Sequence, residues 1–216
     1  VAAQGYYYSD NEERGVFKTI NGGKSWEKVL SIKDGNTHVG VTDLVMNMDD
    51  PEILYASSYQ RIRKPWGFSG AGQNSRIYKS IDGGKNWVKL SNGLPDGLLG
   101  KIGLAIYPRD PNILYAIIED ANSPEISQKD RWFEIQNCKP PSKPTVGNIV
   151  YRSDNGGLGW RQMSEGNVGG RPNYYGQIIV DPNNDKIVYV LSEKVDISID
   201  SGKTWGRAFE YGGDNH

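Results

Sequence analysis

One eight-residue pattern, Ser/Thr-x-Asp/Asn-x-Gly-x-x-Trp, recurs four times in this chain of 216 residues. The copies run Thr19 to Trp26, Ser80 to Trp87, Ser153 to Trp160 and Ser198 to Trp205. A repeat of this kind constrains the fold more than composition does, because each copy marks one unit that buries its faces against its neighbours. The box has its own physical logic. An Asp or Asn side chain accepts hydrogen bonds from backbone N–H groups just ahead of it, and the glycines that follow take up positive φ. The Trp then folds back as an apolar plug. Asn21, Asp82, Asn155 and Asp200 therefore read as structural acceptors rather than catalytic acids, since two of the four are Asn. Trp26, Trp87, Trp160 and Trp205 read as largely buried.

Short β-rich runs flank each box, such as Arg76-Ile77-Tyr78-Lys79 before the second and Glu27-Lys28-Val29-Leu30 after the first. The box thus sits in a strand-to-strand turn. A second element repeats with it: MNMDDPEILY ending at Tyr55, IYPRDPNILY ending at Tyr115 and VDPNNDKIVY ending at Tyr189. These tyrosines follow Thr19, Ser80 and Ser153 by 36, 35 and 36 residues, whereas the distance on to the next box varies from 9 to 38. Four short antiparallel strands with one box define a β-propeller blade. With strands A to D counted outward from the centre, the ten-residue element is the A–B turn and the box is the C–D turn. Both lie on one face, and the variable B–C loops and D–A links lie on the other, where ligands are met. The fold class is all-β, about three and a half blades of a larger ring, with residues 1–216 forming a segment of one propeller domain. Val1-Ala2-Ala3 matches the residues just after the blade tyrosines, so the chain is expected to open inside a B strand.

Composition narrows the function classes. With 25 basic and 26 acidic residues the net charge is -1, which gives no general attraction for nucleic acid. No stretch approaches the roughly 18 apolar residues that span a bilayer. Cys138 is the single cysteine, with no partner for a disulfide and no metal-spaced companions. No phosphate-binding loop, dinucleotide fingerprint or nucleophile elbow is present, so neither a metal nor a cofactor is called for. The absence of an initiator Met points to processing or to a piece of something longer.

The boxes resemble the bacterial-neuraminidase (BNR), or Asp-box, repeat of sialidases, sortilin-type receptors and xyloglucan-degrading propeller enzymes. The sequence is most similar to large exported bacterial proteins of the sortilin-like BNR group, often labelled glycosyl hydrolases. Asn11 to Lys18, Tyr59 to Phe68 and Asn173 to Gln177 carry that likeness, which covers nearly the whole chain outside the insert from Glu119 to Thr145. The resemblance implies closed rings of several blades and an extracellular or periplasmic setting. Because the chain holds only a portion of a ring, its partners should be further blades of the same polypeptide or another subunit. Open ends would expose apolar rows such as Leu44, Met46, Ile102, Leu104, Ile178 and Val180, depending on which blade is terminal.

Candidate site residues fall on the loop face. Aligning the ten-residue elements puts Asp43, Gly103 and Gln177 at one blade position near the channel mouth. Asp43 is the candidate acid there, set against a plain inter-blade hydrogen bond. His216 and Asp214 fall at the matching place of the next blade, and His38 is assigned to a D–A link. The B–C insertion from Arg61 to Phe68 sets Arg61 and Arg63 beside Trp66: Trp66 stacks on a sugar ring or the arginines grip carboxylates, or else Trp66 packs under its own loop and the arginines are solvated, two readings of equal weight. Trp132 lies in the longer insert, and Arg171, Tyr174 and Tyr175 precede Gln177 on a D–A link. Sialidase chemistry needs an arginine trio, and no register marks three of Arg61, Arg63, Arg131 and Arg171 as one. Glycoside hydrolysis needs two opposed carboxylates. The leading expectation is a binding or scaffolding segment that recognises a protein or glycan; the alternative is a portion of a sialidase- or xyloglucanase-like hydrolase.

Overall fold

The computed structural model describes residues 1–35 and 37–208. It resolves into radial sheets of antiparallel strands joined in the order A, B, C, D. The first sheet holds β1 (Ala2–Ala3), β2 (Gly15–Lys18) and β3 (Glu27–Leu30), which are strands B, C and D of blade 1. Ala2 pairs with Val16 as Ser57 of the next blade pairs with Ile77, so the chain does open inside a B strand.

Blade 2 adds β4 (Ile32–Asp34), an extra strand in the D–A link, to the inner edge of β5 (Thr37–Met46). Its B strand is β6 (Leu54–Tyr59), and a hairpin, β7 (Ile62–Lys64) and β8 (Gly67–Ser69), precedes β9 (Ile77–Ser80) and β10 (Val88–Lys89). Blade 3 comprises β11 (Leu99–Ile106), β12 (Leu114–Asp120), β13 (Gly147–Ser153) and β14 (Arg161–Gln162), with α1 (Gln128–Gln136) in its B–C insertion. Blade 4 is β15 (Gln177–Asp181), β16 (Asn184–Leu191), β17 (Val195–Ser198) and β18 (Gly206–Arg207). The helix is an addition to the all-β expectation. Its start is nonetheless written in the sequence: the Ser127 hydroxyl caps the Asp130 N–H at 3.1 Å.

Each box works as a two-acceptor hub. The opening hydroxyl accepts the N–H four residues on, with Gly23 on Thr19 at 2.9 Å and Gly84 on Ser80 at 2.9 Å. Gly157 on Ser153 and Gly202 on Ser198 repeat this at 2.9 and 2.8 Å. The Asp or Asn Oδ1 then accepts a second amide: Ser25, Asn86, Gly159 or Thr204, at 2.8 to 3.0 Å. Those bonds hold Asp82 and Asp200 at a pKa of about 2, led by the Asn86 backbone N–H in one and the Thr204 hydroxyl in the other. Both are permanent anions with a structural role. The turn needs two successive residues at positive φ, met by glycine pairs in three boxes and by Ser201 (68°) with Gly202 (90°) in the fourth.

The core lies between blades. Trp160 packs with Tyr55, Ile77 and Leu90 of the preceding blade, Trp87 with Val29, and Trp205 with Val150 and Met163. A box Trp therefore plugs into the D-strand side of the blade before its own. This corrects the expectation of four buried tryptophans: Trp160 is 6 % exposed but Trp26 is 47 % exposed, because no blade of this chain precedes it. The expected open rows need the same correction. Ile102, Leu104, Ile178 and Val180 are buried because they face the preceding blade, while the outer row of blade 4 begins at Ile179, 47 % exposed.

Polar ties reinforce the packing across blades. The Tyr55 hydroxyl donates to the Gly156 carbonyl at 2.9 Å, and Tyr115 donates to Asp185 O at 2.6 Å. Lys18 and Lys79, each just before a box, reach the next box at Gly83 O and Gly156 O, 2.8 and 2.7 Å away. Replacing Trp160 by Ala should cost on the order of 3–5 kcal/mol. Trp26→Ala should cost well under half of that, since its ring is half in water. Urea unfolding of the two variants side by side checks the ordering.

Candidate functional site

The A–B turns and boxes on one face are tied to each other inside blades 2, 3 and 4: Gly83 N donates to Glu52 O, Gly156 N to Asn112 O and Ser201 N to Lys186 O. Insertions accumulate on the opposite face, where the B–C connections of blades 1, 2 and 3 meet. Arg14 builds the first of these loops by donating to the carbonyls of Tyr6, Ser9 and His38 at 2.9 to 3.0 Å. Asp10 accepts the His38 N–H at 2.9 Å and lies 3.4 Å from His38 Nδ1. Burial works against the Asp10 charge, but these bonds and Arg14 outweigh it and hold its carboxyl below the usual range. The second insertion, hairpin β7–β8, packs against the segment after α1 so closely that a Cβ at Gly67 would sit 2.5 Å from Cys138 Cβ.

These insertions enclose a cleft of about 370 Å³, walled by Tyr7, Tyr8, Arg61, Arg63, Lys64 and Trp132. The Arg61 guanidinium stacks 3.9 Å from the Tyr7 ring centre. Arg63 lies 5.8 Å from the ring of Tyr8 and 5.5 Å from that of Phe68. The acids of the cleft are engaged elsewhere: Asp10 with Arg14 and His38, and Asp34 with Gln60 Nε2 at 2.6 Å. Among the described residues no ion pair neutralises Arg61, Arg63 or Lys64.

Arg61 also lines a second, inner cavity of about 270 Å³, shared with Gln4, Thr42, Lys101, Asn173 and Tyr174. Two β-bulges shape it. The register of β5 slips between Val41 and Asp43, and that of β11 slips between Leu99 and Ile102. Bulges re-aim side chains, and here they bring Thr42 and Lys101 to the cavity wall. The amide freed at Lys101 donates to Glu119 Oε2 at 3.2 Å. A Cβ at Gly100 would lie 2.0 Å from that oxygen, so only glycine admits Glu119 there. Burial pushes the Glu119 carboxyl from 4.5 up to about 7, against the Lys101 N–H bond and the charges of Arg131 and Lys101.

Asp43, Gly103 and Gln177 do occupy one blade position, pairing across to Ser57, Ile117 and Leu191. Asp43 Oδ1 accepts the Leu44 N–H and Oδ2 accepts the Leu104 N–H of the next blade, both at 2.9 Å. Burial nevertheless raises its pKa above the ordinary value. Oδ2 thus forms the plain inter-blade bond that competes with a ligand role, while Oδ1 is held within its own strand.

The structure gathers Arg61, Arg63, Trp132 and Tyr174 around the two cavities and sends the other candidates elsewhere. Trp66 is at the hairpin tip, 77 % exposed, with Lys64 Nζ 6.0 Å from its ring. Arg131 is buried, donating to Ala121 O at 3.0 Å and pairing with Glu134. Arg171 pairs with Glu193 at 2.5 Å. Tyr175 is buried and Gln177 is exposed on β15. His38 lies in the lengthened strand β5 rather than in a link, because β4 pairs with it there. His216 and Asp214 lie outside the described residues. Sequence reasoning missed Tyr7, Tyr8, Thr42, Lys101 and Glu119. The Tyr6-Tyr7-Tyr8 run in the blade 1 loop was a visible signal for two of them.

No protein-family model matches the chain, and no curated relative does. Solved structures do resemble it. The GH74 enzyme of Niastella koreensis superimposes with a TM-score of 0.59 at 19% identity, over 91% of this chain and 27% of that one. The GH74 xyloglucanase of Xanthomonas campestris gives 0.56 at 15% identity, over 93% and 28%. A gluconolactonase from Xanthomonas campestris gives 0.50 at 13%, over 94% and 58%. At such identities the likeness establishes the fold: the chain is a partial β-propeller, and it spans 27% and 28% of the GH74 structures it matches.

The Glu119 carboxyl makes a signed prediction. A group that holds its proton more tightly when folded contributes most below its unfolded pKa and loses that contribution as pH rises toward its folded one. Between about pH 4.5 and 7 the melting temperature of the native protein should therefore fall relative to a Glu119→Gln variant. Calorimetric melts across that window check it.

Proposed function

We propose that this chain is a binding segment of a larger propeller that takes a glycan or a protein on its B–C loop face. The observation that carries the reading is the cleft itself, in which Arg61 and Arg63 lie over tyrosine rings and form no ion pair among the described residues, the cleft acids Asp10 and Asp34 being bonded to other groups. Cations stacked on aromatic faces in a concave site recognise polar and anionic ligands. The Asp43 carboxylate supports it from the other side, since both oxygens already hold backbone amides. The sortilin-like BNR resemblance fits an exported binding protein, placed outside the cytoplasm. Among the described residues no helix is long and apolar enough to cross a membrane.

A second reading rests on Glu119. A carboxyl that keeps its proton near neutral pH suits a general acid, and the GH74 likeness makes glycoside hydrolysis its natural class. The opposed carboxylate would come from blades outside this chain. Polysaccharide and protein arrays probed with the whole polypeptide separate the readings. Binding without turnover is expected, weakened about tenfold by a Tyr8→Ala, Arg63→Ala double variant, which corresponds to about 1.4 kcal/mol. Turnover that Glu119→Gln abolishes without lowering the melting temperature would establish the hydrolase instead.

In the same proposal, further blades of the same polypeptide, or another subunit, cover Trp26 and the outer row of blade 4. Light scattering on the isolated chain should then show self-association rather than a cooperatively melting monomer of 24.0 kDa.

A further inference from the structure

We infer that the inner cavity is a subsite for the carboxylate of an acidic saccharide, gripped by Arg61 and Lys101 across the bulges of β5 and β11; the inference rests on the loop-face reading above. Two side chains lining this cavity hold polar atoms that are shielded from water and, among the described residues, lack a hydrogen-bond partner: Arg61 through Nε and Nη2, and Thr42 through Oγ1. Native structures rarely leave such groups unpaired, because each costs its full desolvation. Three unpaired atoms on two residues of one cavity wall point to a missing oxygen-rich ligand. Nε and Nη2 form one edge of the guanidinium, where two parallel N–H groups match the two oxygens of a carboxylate. Stacking on Tyr7 holds that plane in place.

The charge around the cavity selects a monoanion. Among the described residues no carboxylate lines it, whereas Arg61 and Lys101 both do. Asp43 and Glu119 lie behind Lys101, close enough to act on its charge. They reduce the field to one that suits a carboxylate better than a phosphate dianion. The lining then selects the body of the ligand. Among the described residues Ala2 and Val41 are its only aliphatic groups, against the amides of Gln4 and Asn173, the hydroxyl of Thr42 and two tyrosines. A peptide would bring apolar side chains with nowhere to bury them. A sugar brings hydroxyls for the amides and a flat face for Tyr174, whose ring is 57 % exposed.

The test uses calorimetric titration of the whole polypeptide with oligogalacturonates and oligoglucuronates, each beside its methyl ester, and with a glutamate-rich decapeptide. The acid forms should bind at least tenfold more tightly than the esters. Arg61→Gln and Lys101→Gln, from opposite walls, should each bring the acids down to the esters' affinity. Arg61→Lys should restore only a fraction of the difference, because a point charge cannot make the fork. Equal affinity for acid and ester would overturn the carboxylate subsite while leaving the loop-face reading in place. Arg61-dependent binding of the decapeptide without binding of either saccharide would overturn the saccharide assignment. No binding to any of the probes would count against both readings.

Discussion

The hydroxyl that opens each box is the constraint on which the other layers depend. Ser80 Oγ accepts the Gly84 amide and donates to Asp82 Oδ1 at 2.8 Å, which turns Asp82 toward the Asn86 amide. That closed ring of bonds aims the following Trp back across the sheet, and Trp87 Nε1 locks onto Gly84 O at 3.0 Å. The plug then presses on the preceding blade, which sets the spacing between sheets and so the position of the A strands at the inner edge. Loss of the hydroxyl would remove three bonds directly, those with Asp82 N, Asp82 Oδ1 and Gly84 N, and the Trp orientation indirectly. A small polar network thus governs the apolar packing around it.

The same hub explains why chemistry collects on one face. On the box face the turns are tied to each other by backbone bonds in blades 2, 3 and 4, so an insertion there would break a tie and a hub together. The B–C connections carry no such obligation. Blade 1 uses its connection for a tyrosine loop held by Arg14, blade 2 for a hairpin, and blade 3 for a capped helix. Arg131, buried under that helix, anchors it to Ala121 O and so serves the wall of the cleft without facing it. Rigid blades with free loops place a recognition surface on an immobile frame.

Blade architecture was legible because it is local. Ser/Thr, Asp/Asn, Gly and Trp at fixed spacing each have one physical task, and the order of strands around each box came from them. The degree of burial of Trp26 was not legible, because that depends on a neighbouring blade rather than on the box. Helix α1 carried its Ser127–Asp130 cap in plain view but stands in an insertion where the repeat gives no guidance. At the site, Arg61 and Arg63 could be found from composition and loop position. Thr42 and Lys101 could not, because they reach the cavity through bulges, and a bulge is a slip of register that strand patterning does not encode; Glu119 could not, because its burial depends on Gly100 and Lys101 of the bulged neighbouring strand.

Asp43 and Arg61 show how the hydrogen-bond state of a residue, rather than its type, marks function. Both are ionisable, and both stand near the inner edge of the loop face where blades 2 and 3 meet. Asp43 has each oxygen on a backbone amide, one in its own strand and one in the next blade, so removing it would loosen the seam between these blades before it touched a ligand. Arg61 stands in the opposite state: it forms no ion pair, two of its nitrogens are sealed from water without an acceptor, and its guanidinium lies over the Tyr7 ring. A folded chain tolerates that deficit only where something else relieves it. The acid is the mortar between blades; the arginine, held in position and unsatisfied, is the group that a ligand completes.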